Sequence, residues 1–123
     1  MLNELGIYIH IPFCKQKCYY CDFVSYSNKC SEVKEYIESL KKEIEEFDFS
    51  NYKVTSIYIG GGTPSYIDSI YIVEILSELK EKLKCNLIEF KDIEITIEVN
   101  PGTVDTKKLN DYKKSGINRL SIG

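Results

Sequence analysis

Four short segments of the chain alternate between apolar and polar residues with a period of two, which predicts four β-strands. All four are rich in Ile, Val, Thr or Tyr, the residues that favour strands. The predicted strands span residues 6–11, 54–59, 93–99 and 119–122. On the first strand Ile7, Ile9 and Ile11 share one face, whereas Tyr8 and His10 share the other. The second and third strands repeat this division into an isoleucine-rich face and a polar face.

Between the strands, apolar residues recur at steps of three and four, which predicts three amphipathic helices. The helices span residues 31–47, 68–83 and 105–115. The residues expected to face inward are Val33, Ile37, Leu40, Ile44 and Phe47 on the first helix, Ile72, Ile75, Leu76, Leu79 and Leu83 on the second, and Leu109 and Tyr112 on the third. Ser31, Asp68 and Asp105 stand where N-terminal caps are expected, and Gly116 supplies the C-terminal stop.

Strands that alternate with helices predict an α/β fold whose parallel strands are joined by right-handed crossovers. A doubly wound sheet buries both faces of its central strands, whereas each strand here has one polar face. We therefore predict about four parallel strands and three helices in a barrel-like sheet, with polar side chains inward toward a ligand. A full barrel takes about 250 residues. Residues 1–123 are expected to be the N-terminal portion of such a barrel, with the remainder absent from this chain.

Composition and charge restrict the classes of binding partner, and they leave the predicted fold unchanged. The chain carries 16 basic and 19 acidic residues and a net charge of −3, which argues against nucleic acid as a partner. No stretch approaches the roughly 20 apolar residues of a membrane span. The first residues resemble neither a secretory nor a transit peptide, so we expect a cytoplasmic protein.

Three of the five cysteines are crowded into one short segment. Cys14, Cys18 and Cys21 have the spacing C-x₃-C-x₂-C, whereas Cys30 and Cys85 stand apart. An odd count with one tight cluster favours a reduced compartment and a metal centre over disulfides. A structural zinc site usually takes four ligands, and no second pair of cysteines follows. A four-iron cluster held by three thiolates would leave one iron open to a substrate; a zinc site or free thiols are the alternatives.

Proline and glycine are concentrated directly after the first three strands, at Pro12, Gly60, Gly61, Gly62, Pro64, Pro101 and Gly102. In parallel α/β folds, ligands bind beyond the carboxyl ends of the strands. Glycine lets a backbone approach a ligand closely. A binding site is therefore expected at this edge of the sheet, and ordinary turn chemistry is the alternative.

Five motifs appear in order along the chain: HIPFC at 10–14, CDF at 21–23, GGGTPS at 60–65, EVNPG at 98–102 and RLSIG at 119–123. The cysteine spacing resembles the signature of the radical S-adenosylmethionine (SAM) superfamily. The five motifs together resemble the oxygen-independent coproporphyrinogen III oxidase family within it, including that family's haem-chaperone branch. The fold implied by this resemblance is a partial (β/α) barrel.

The resemblance implies a [4Fe–4S] cluster, with Cys14, Cys18 and Cys21 ligating three irons and SAM chelating the fourth. In such families the cofactor performs the radical chemistry, and the protein positions it and excludes water and oxygen. The implied partners are SAM, haem or a porphyrin, an electron donor such as flavodoxin or ferredoxin, and haem-accepting proteins.

The resemblance also assigns the contacts to SAM, at Tyr8, Tyr20, Gly61, Gly62, Thr63 and Glu98. The glycine loop would hold the methionyl part, Glu98 the hydroxyl or ammonium groups, and Tyr20 the adenine. Core packing is the alternative for the two tyrosines. A salt bridge to Arg119 is the alternative for Glu98, because an unpaired buried charge is costly.

Two departures from the oxidase favour the haem-chaperone branch. The oxidase has another cysteine where this chain has Phe23, and it has an N-terminal extension, whereas only residues 1–5 precede the first predicted strand here. The leading hypothesis is a haem chaperone that binds haem and delivers it to haem proteins. The alternatives are a true coproporphyrinogen III dehydrogenase and, from another class, an inactive fragment or a non-catalytic metal-binding module. We expect the chain alone to be inactive.

Overall fold

Four parallel strands and three α-helices alternate in the part of the chain that the computed structural model describes, residues 3–13, 29–84 and 88–123. The elements in chain order are β1 (Asn3–Ile11), α1 (Lys29–Glu46), β2 (Tyr52–Gly61), α2 (Ser69–Leu83), β3 (Glu94–Val99), α3 (Thr106–Ser115) and β4 (Arg119–Ile122). Short 3₁₀ turns follow β2 and β3, at Pro64–Tyr66 and Pro101–Thr103. The predicted α/β class and all seven elements are confirmed.

The strands lie side by side in the order in which they occur in the chain, β1-β2-β3-β4, and every neighbouring pair is parallel. Ile59 lies opposite Ile9 on one side and Ile97 on the other. A doubly wound sheet reverses its strand order at a switch point. This sheet proceeds in one direction, as a barrel does, so the expected barrel-like winding is confirmed for the described strands.

The core lies between one face of the sheet and the three helices. Every isoleucine at positions 9, 11, 57, 59, 95 and 97 is buried in a single cluster with apolar residues of all three helices. The five residues of the predicted α2 stripe are fully buried, so α2 forms the centre of the helical layer. Burial of such side chains contributes roughly 1.5–3 kcal/mol each. The opposite face of the sheet therefore carries the polar residues.

Local capping determines where two of the helices start and where α3 ends. The Asp68 carboxylate accepts a hydrogen bond from the Ile70 amide, and the Asp105 carboxylate accepts one from the Lys108 amide. Gly116 closes α3 in the left-handed conformation, with φ of 114°. These predictions are confirmed. The expectation that Ser31 caps α1 is wrong, because the helix begins at Lys29 and Ser31 lies within its first turn.

Two residues expected to face inward are exposed instead. Phe47 lies beyond the end of α1, and its ring packs on Phe49 at a centroid distance of 4.5 Å rather than under the sheet. Leu109 lies on the flank of α3 beside β4, where no described segment covers it. Leu120 and Ile122 of β4 are exposed in the same region. The periodicity identified the apolar residues but not which of them meet a neighbouring element.

No helix among the described residues is long and apolar enough to cross a membrane.

Candidate functional site

A cleft of about 300 Å³ opens at the carboxyl ends of β2, β3 and β4. It is lined by Gly62 and Thr63 after β2, by Glu98 and Asn100 at the end of β3, and by Ser121 on β4. The cleft thus brings together three of the residues to which the family resemblance assigned SAM contacts, Gly62, Thr63 and Glu98. Its position is the one expected for a ligand site in a parallel α/β fold.

Glu98 is the charged side chain of this cleft. Its Oε2 accepts a hydrogen bond from the Tyr58 hydroxyl at 2.8 Å, and its Oε1 accepts one from the Gly61 amide at 3.0 Å. Both donors are neutral, and within the described residues Glu98 makes no ion pair. The alternative of a salt bridge to Arg119 is wrong, because that guanidinium donates to Glu94 at 2.9 Å. The half-buried carboxylate is therefore oriented by two neutral donors, and no described side chain compensates its charge.

The glycine loop after β2 is packed against the last residues of β1 and the segment that follows. Gly61 has a φ of 122°, and a Cβ built on it would lie 2.7 Å from the Ile11 carbonyl oxygen. A Cβ on Gly62 would lie equally close to the Phe13 carbonyl oxygen, at 2.7 Å. Real Cβ atoms do not approach this closely, so side chains are excluded. The glycines are thus explained by contact with the protein's own backbone, which the sequence analysis did not foresee.

Backbone donors in this loop are all used within the protein. The amide of Gly61 donates to Glu98, that of Gly62 to the Ile11 carbonyl at 2.9 Å, and that of Thr63 to the Phe13 carbonyl at 2.7 Å. What the loop retains for a ligand is carbonyl oxygens and the Thr63 hydroxyl. With the Glu98 carboxylate, the cleft is rich in acceptors and is suited to a cation that carries N–H donors.

Tyr8 lies on the polar face of the sheet, 58% exposed, so core packing does not account for it. Its ring stacks on that of Tyr58 at a centroid distance of 6.1 Å, and its hydroxyl lies 3.1 Å from Nδ1 of His10. Through Tyr58 this aromatic pair connects to Glu98. The arrangement places Tyr8 on the same sheet face as the Glu98 carboxylate.

The segment that leads to the cysteines is held from two sides. The Tyr36 hydroxyl of α1 donates to the His10 carbonyl at 2.5 Å, and its ring meets that of Phe13 edge-on at 5.6 Å. Burial raises the pKa of this hydroxyl, and the charge of Glu43 adds to the effect. The glycine loop also bonds to this segment, through the carbonyls of Ile11 and Phe13. The backbone up to Phe13 is therefore fixed by contacts with both α1 and the glycine loop.

The predicted metal ligands Cys14, Cys18 and Cys21, and the predicted adenine contact Tyr20, lie outside the described residues. Among residues 3–13, 29–84 and 88–123, no group of His, Cys, Asp or Glu could hold a metal ion. The ligand assignment accordingly stays a prediction from the sequence.

Sequence reasoning missed Tyr58 as the partner of Glu98. The alternation had placed both on polar faces, but only the register, with Tyr58 opposite Thr96, brings the hydroxyl within reach of a carboxylate two residues further along β3. It also gave no role to Ser65, Asn100 or Thr103. These residues lie within or directly beside the quoted motifs, and that proximity was the signal available.

The model of the radical SAM superfamily matches residues 8–123 of this chain. The heme chaperone HemW of Buchnera aphidicola subsp. Schizaphis graminum is 48% identical to it over 126 residues, covering 99% of this chain and 32% of that protein. HemW of Escherichia coli is 40% identical, with 99% of this chain and 32% of that protein covered. The oxygen-independent coproporphyrinogen III oxidase of Salmonella typhimurium is 33% identical, with 98% and 26% covered.

A solved structure described as a radical SAM enzyme also matches this chain. The coproporphyrinogen III oxidase HemN from Escherichia coli, described as a radical SAM enzyme, superposes with a TM-score of 0.75 at 30% identity. The alignment covers 99% of this chain and 28% of that one. The chain therefore spans about a third of the length of the curated HemW relatives that it matches.

Proposed function

This chain belongs to the radical SAM superfamily, and from that premise we propose that it binds SAM in the cleft beside Glu98 and a [4Fe–4S] cluster through Cys14, Cys18 and Cys21. The observation that carries the proposal is the Glu98 carboxylate, which is oriented by Tyr58 and Gly61 but has no cationic partner among the described residues.

The chemistry of the cleft fits the methionyl end of SAM. That end carries a positive ammonium group with three N–H donors, close to a positive sulfonium. Gly62 and Thr63 line one wall of the cleft. Their backbone amides already donate hydrogen bonds within the protein, so this wall offers a ligand hydrogen-bond acceptors. Glu98 at the end of β3 adds a negative charge in a half-buried position, where charge-assisted hydrogen bonds are strong.

The cysteine segment follows directly on the backbone that the glycine loop and Tyr36 hold. The carboxyl end of β1, which precedes that segment in the chain, lies beside the carboxyl end of β2, at the edge where the cleft opens. Cys14, Cys18 and Cys21 would hold the cluster, which would supply the electron for reductive cleavage of SAM. The role of this chain's own residues is to bind and orient the methionyl group and to restrict the access of water.

For the protein that carries this chain, we propose haem binding and delivery to haem proteins, with flavodoxin or ferredoxin as electron donor. Two features support this choice over the oxidative decarboxylation of coproporphyrinogen III. The identity to the two HemW proteins, 48% and 40%, exceeds the 33% to the oxidase. By the family resemblance, Phe23 also stands where the oxidase carries an additional cysteine. A cytoplasmic location remains part of the proposal.

SAM binding is tested by Glu98→Gln in the anaerobically reconstituted native protein. Glutamine can accept from the Gly61 amide and donate to Tyr58, so the local geometry is kept while the charge is lost. Loss of a hydrogen bond to a charged group corresponds to about 1.5–3 kcal/mol, hence a SAM dissociation constant about 10- to 150-fold higher by equilibrium dialysis.

Glu94→Gln is the matched control, because Glu94 lies on the same strand and face but is paired with Arg119 at the surface. It should leave SAM affinity unchanged. Equal SAM affinity in the wild type and Glu98→Gln would overturn the assignment of the cleft.

The cluster is tested by iron and sulfide content after anaerobic reconstitution. About four irons per chain are expected for a [4Fe–4S] centre, together with a broad absorption in the visible range. Replacing Cys14, Cys18 and Cys21 together with Ala should abolish the iron, with Cys30→Ala as the control. Bound zinc without iron would support the metal-binding module instead.

The haem proposal is tested by titrating the native protein with haem and, in parallel, by incubating it with coproporphyrinogen III, SAM and a reductant. Saturable haem binding without loss of carboxyl groups from coproporphyrinogen is expected. Stoichiometric decarboxylation would establish the oxidase activity instead.

A further inference from the structure

Three residues in the loops after β2 and β3 form a closed ring of hydrogen bonds. The backbone amide of Asn100 donates to Ser65 Oγ at 3.0 Å, and Thr103 Oγ1 donates to the backbone carbonyl of Asn100 at 2.8 Å. Ser65 Oγ and Thr103 Oγ1 lie 2.5 Å apart. Each hydroxyl has one proton, and that of Thr103 is already used, so Ser65 is the donor in this last bond.

The ring joins two loops that are far apart in the chain, and a third element fastens it. Lys108 Nζ of α3 donates to the Ser65 carbonyl at 2.7 Å and to the Thr103 carbonyl at 3.0 Å. Ser65 is fully buried. A hydroxyl buried in this way forms its hydrogen bonds with protein groups rather than with bulk water. We call the set Ser65, Asn100, Thr103 and Lys108 the loop clasp.

The loop clasp joins the two walls of the cleft, which are the loop after β2 with Gly62 and Thr63 and the end of β3 with Glu98 and Asn100. Ser65 follows Thr63 by two residues on one wall, and Asn100 follows Glu98 by two residues on the other. Within the ring, the Ser65 hydroxyl accepts from one partner and donates to the other, so its donor is not available to a ligand. We propose that Ser65 and Thr103 are positioning residues, which hold the Thr63 wall and the Glu98 wall at the separation that SAM binding requires.

This inference rests on the proposed SAM site and adds to it the residues that set its width. Ser65→Ala would leave the Asn100 backbone amide without its acceptor and the Thr103 hydroxyl without its donor, in a part-buried network. Hydrogen-bonding groups left unmet around the buried Ser65 position are relieved by local movement, here a separation of the two loops. A displaced binding group weakens binding even though it never touched the ligand directly. We expect a five- to tenfold higher dissociation constant for SAM.

Ser69→Ala is the matched control. Ser69 is likewise a buried serine, 1% exposed, and its hydroxyl donates to Asp111 of α3 at 2.6 Å. Both variants thus remove one buried serine hydroxyl that links the region of α2 to the region of α3. Ser69 does not line the cleft, so a general loss of stability would affect the two variants alike, whereas a positioning role affects Ser65→Ala alone.

The experiment measures SAM dissociation constants by equilibrium dialysis, and thermal midpoints, on the reconstituted native protein with its cluster. The expected result is weakened SAM binding for Ser65→Ala and Thr103→Val, and unchanged binding for Ser69→Ala and for Thr103→Ser, which keeps the hydroxyl. Thr103→Val decides the question if Ser65→Ala fails to fold. Equal SAM affinity for Thr103→Val and the wild type, or an equal loss in Ser65→Ala and Ser69→Ala, would overturn the inference. Absence of SAM binding in the wild type would instead overturn the proposed function on which it rests.

Discussion

Replacing Gly61 with Ala is expected to destabilise the protein by about 3 kcal/mol. Two effects contribute to this value. A φ of 122° is a conformation that only glycine adopts readily, and forcing another residue into it costs about 1–3 kcal/mol. In addition, the new methyl group would lie 2.7 Å from the Ile11 carbonyl oxygen and 2.9 Å from two atoms of the His10 ring. Such overpacking typically costs a further 1–3 kcal/mol, because β1 or the loop has to shift.

A shift of β1 or of the glycine loop would also weaken a hydrogen bond between them. The Ile11 carbonyl that the methyl group would meet also accepts the hydrogen bond from the Gly62 amide at 2.9 Å. Moving the loop away from β1 therefore stretches the contact that holds the segment before the cysteines. A loss of about 3 kcal/mol corresponds to a roughly 150-fold change in the unfolding equilibrium.

The assay is urea unfolding of the native protein followed by circular dichroism, with Gly102→Ala as control. Gly102 also follows a strand, but a Cβ there would meet only the Asn100 side chain at 3.4 Å, an ordinary contact, and its φ is not positive. The control should lose less than about 1 kcal/mol, the usual range for a substitution that meets no such obstacle. If Gly61→Ala proved no less stable than Gly102→Ala, the explanation of the glycine loop by backbone contact with β1 would be refuted.

Two further predictions concern α3. Tyr112 is buried, and its hydroxyl has no hydrogen-bond partner among the described residues; burial raises its pKa to about 12. Because Tyr112→Phe removes this unpaired hydroxyl, it should stabilise the protein by about 1 kcal/mol in urea unfolding. A lower stability of the variant would show that the hydroxyl is hydrogen-bonded. The pKa of Asp111 lies below its usual 3.8 because the Ser69 hydroxyl and then Lys107 donate to the carboxylate. Its contribution to stability is therefore present above pH 3.8 and disappears as the pH falls below that value. Thermal midpoints of wild type and Asp111→Asn should differ at pH 7 and approach each other as the pH falls below 3.8, and a constant difference would contradict this.

Most of the fold could be predicted because its determinants are local. The alternation of isoleucine with polar residues places each strand and its buried face, and Asp68 and Asp105 start their helices by bonding their own backbone. The exceptions arose where a neighbouring element decides the outcome. Leu109 has the right spacing to face the core, yet it is exposed, because periodicity does not reveal whether a partner is present on that flank.

The sequence by itself determined the order of strands and helices, the polar face of the sheet and the edge at which a ligand site would lie, since these follow from the local alternation of side chains and from the positions of glycine and proline. Only the tertiary structure decided the partners of Glu98. The register of β3 and β4 places Ser121 opposite Glu98 and leaves Arg119 beside Glu94, so the carboxylate in the cleft has no cationic partner in the part of the chain that the structure describes. The tertiary structure likewise showed that the glycines face the protein's own backbone and that Ser65 joins two loops, because both depend on contacts between segments far apart in the chain.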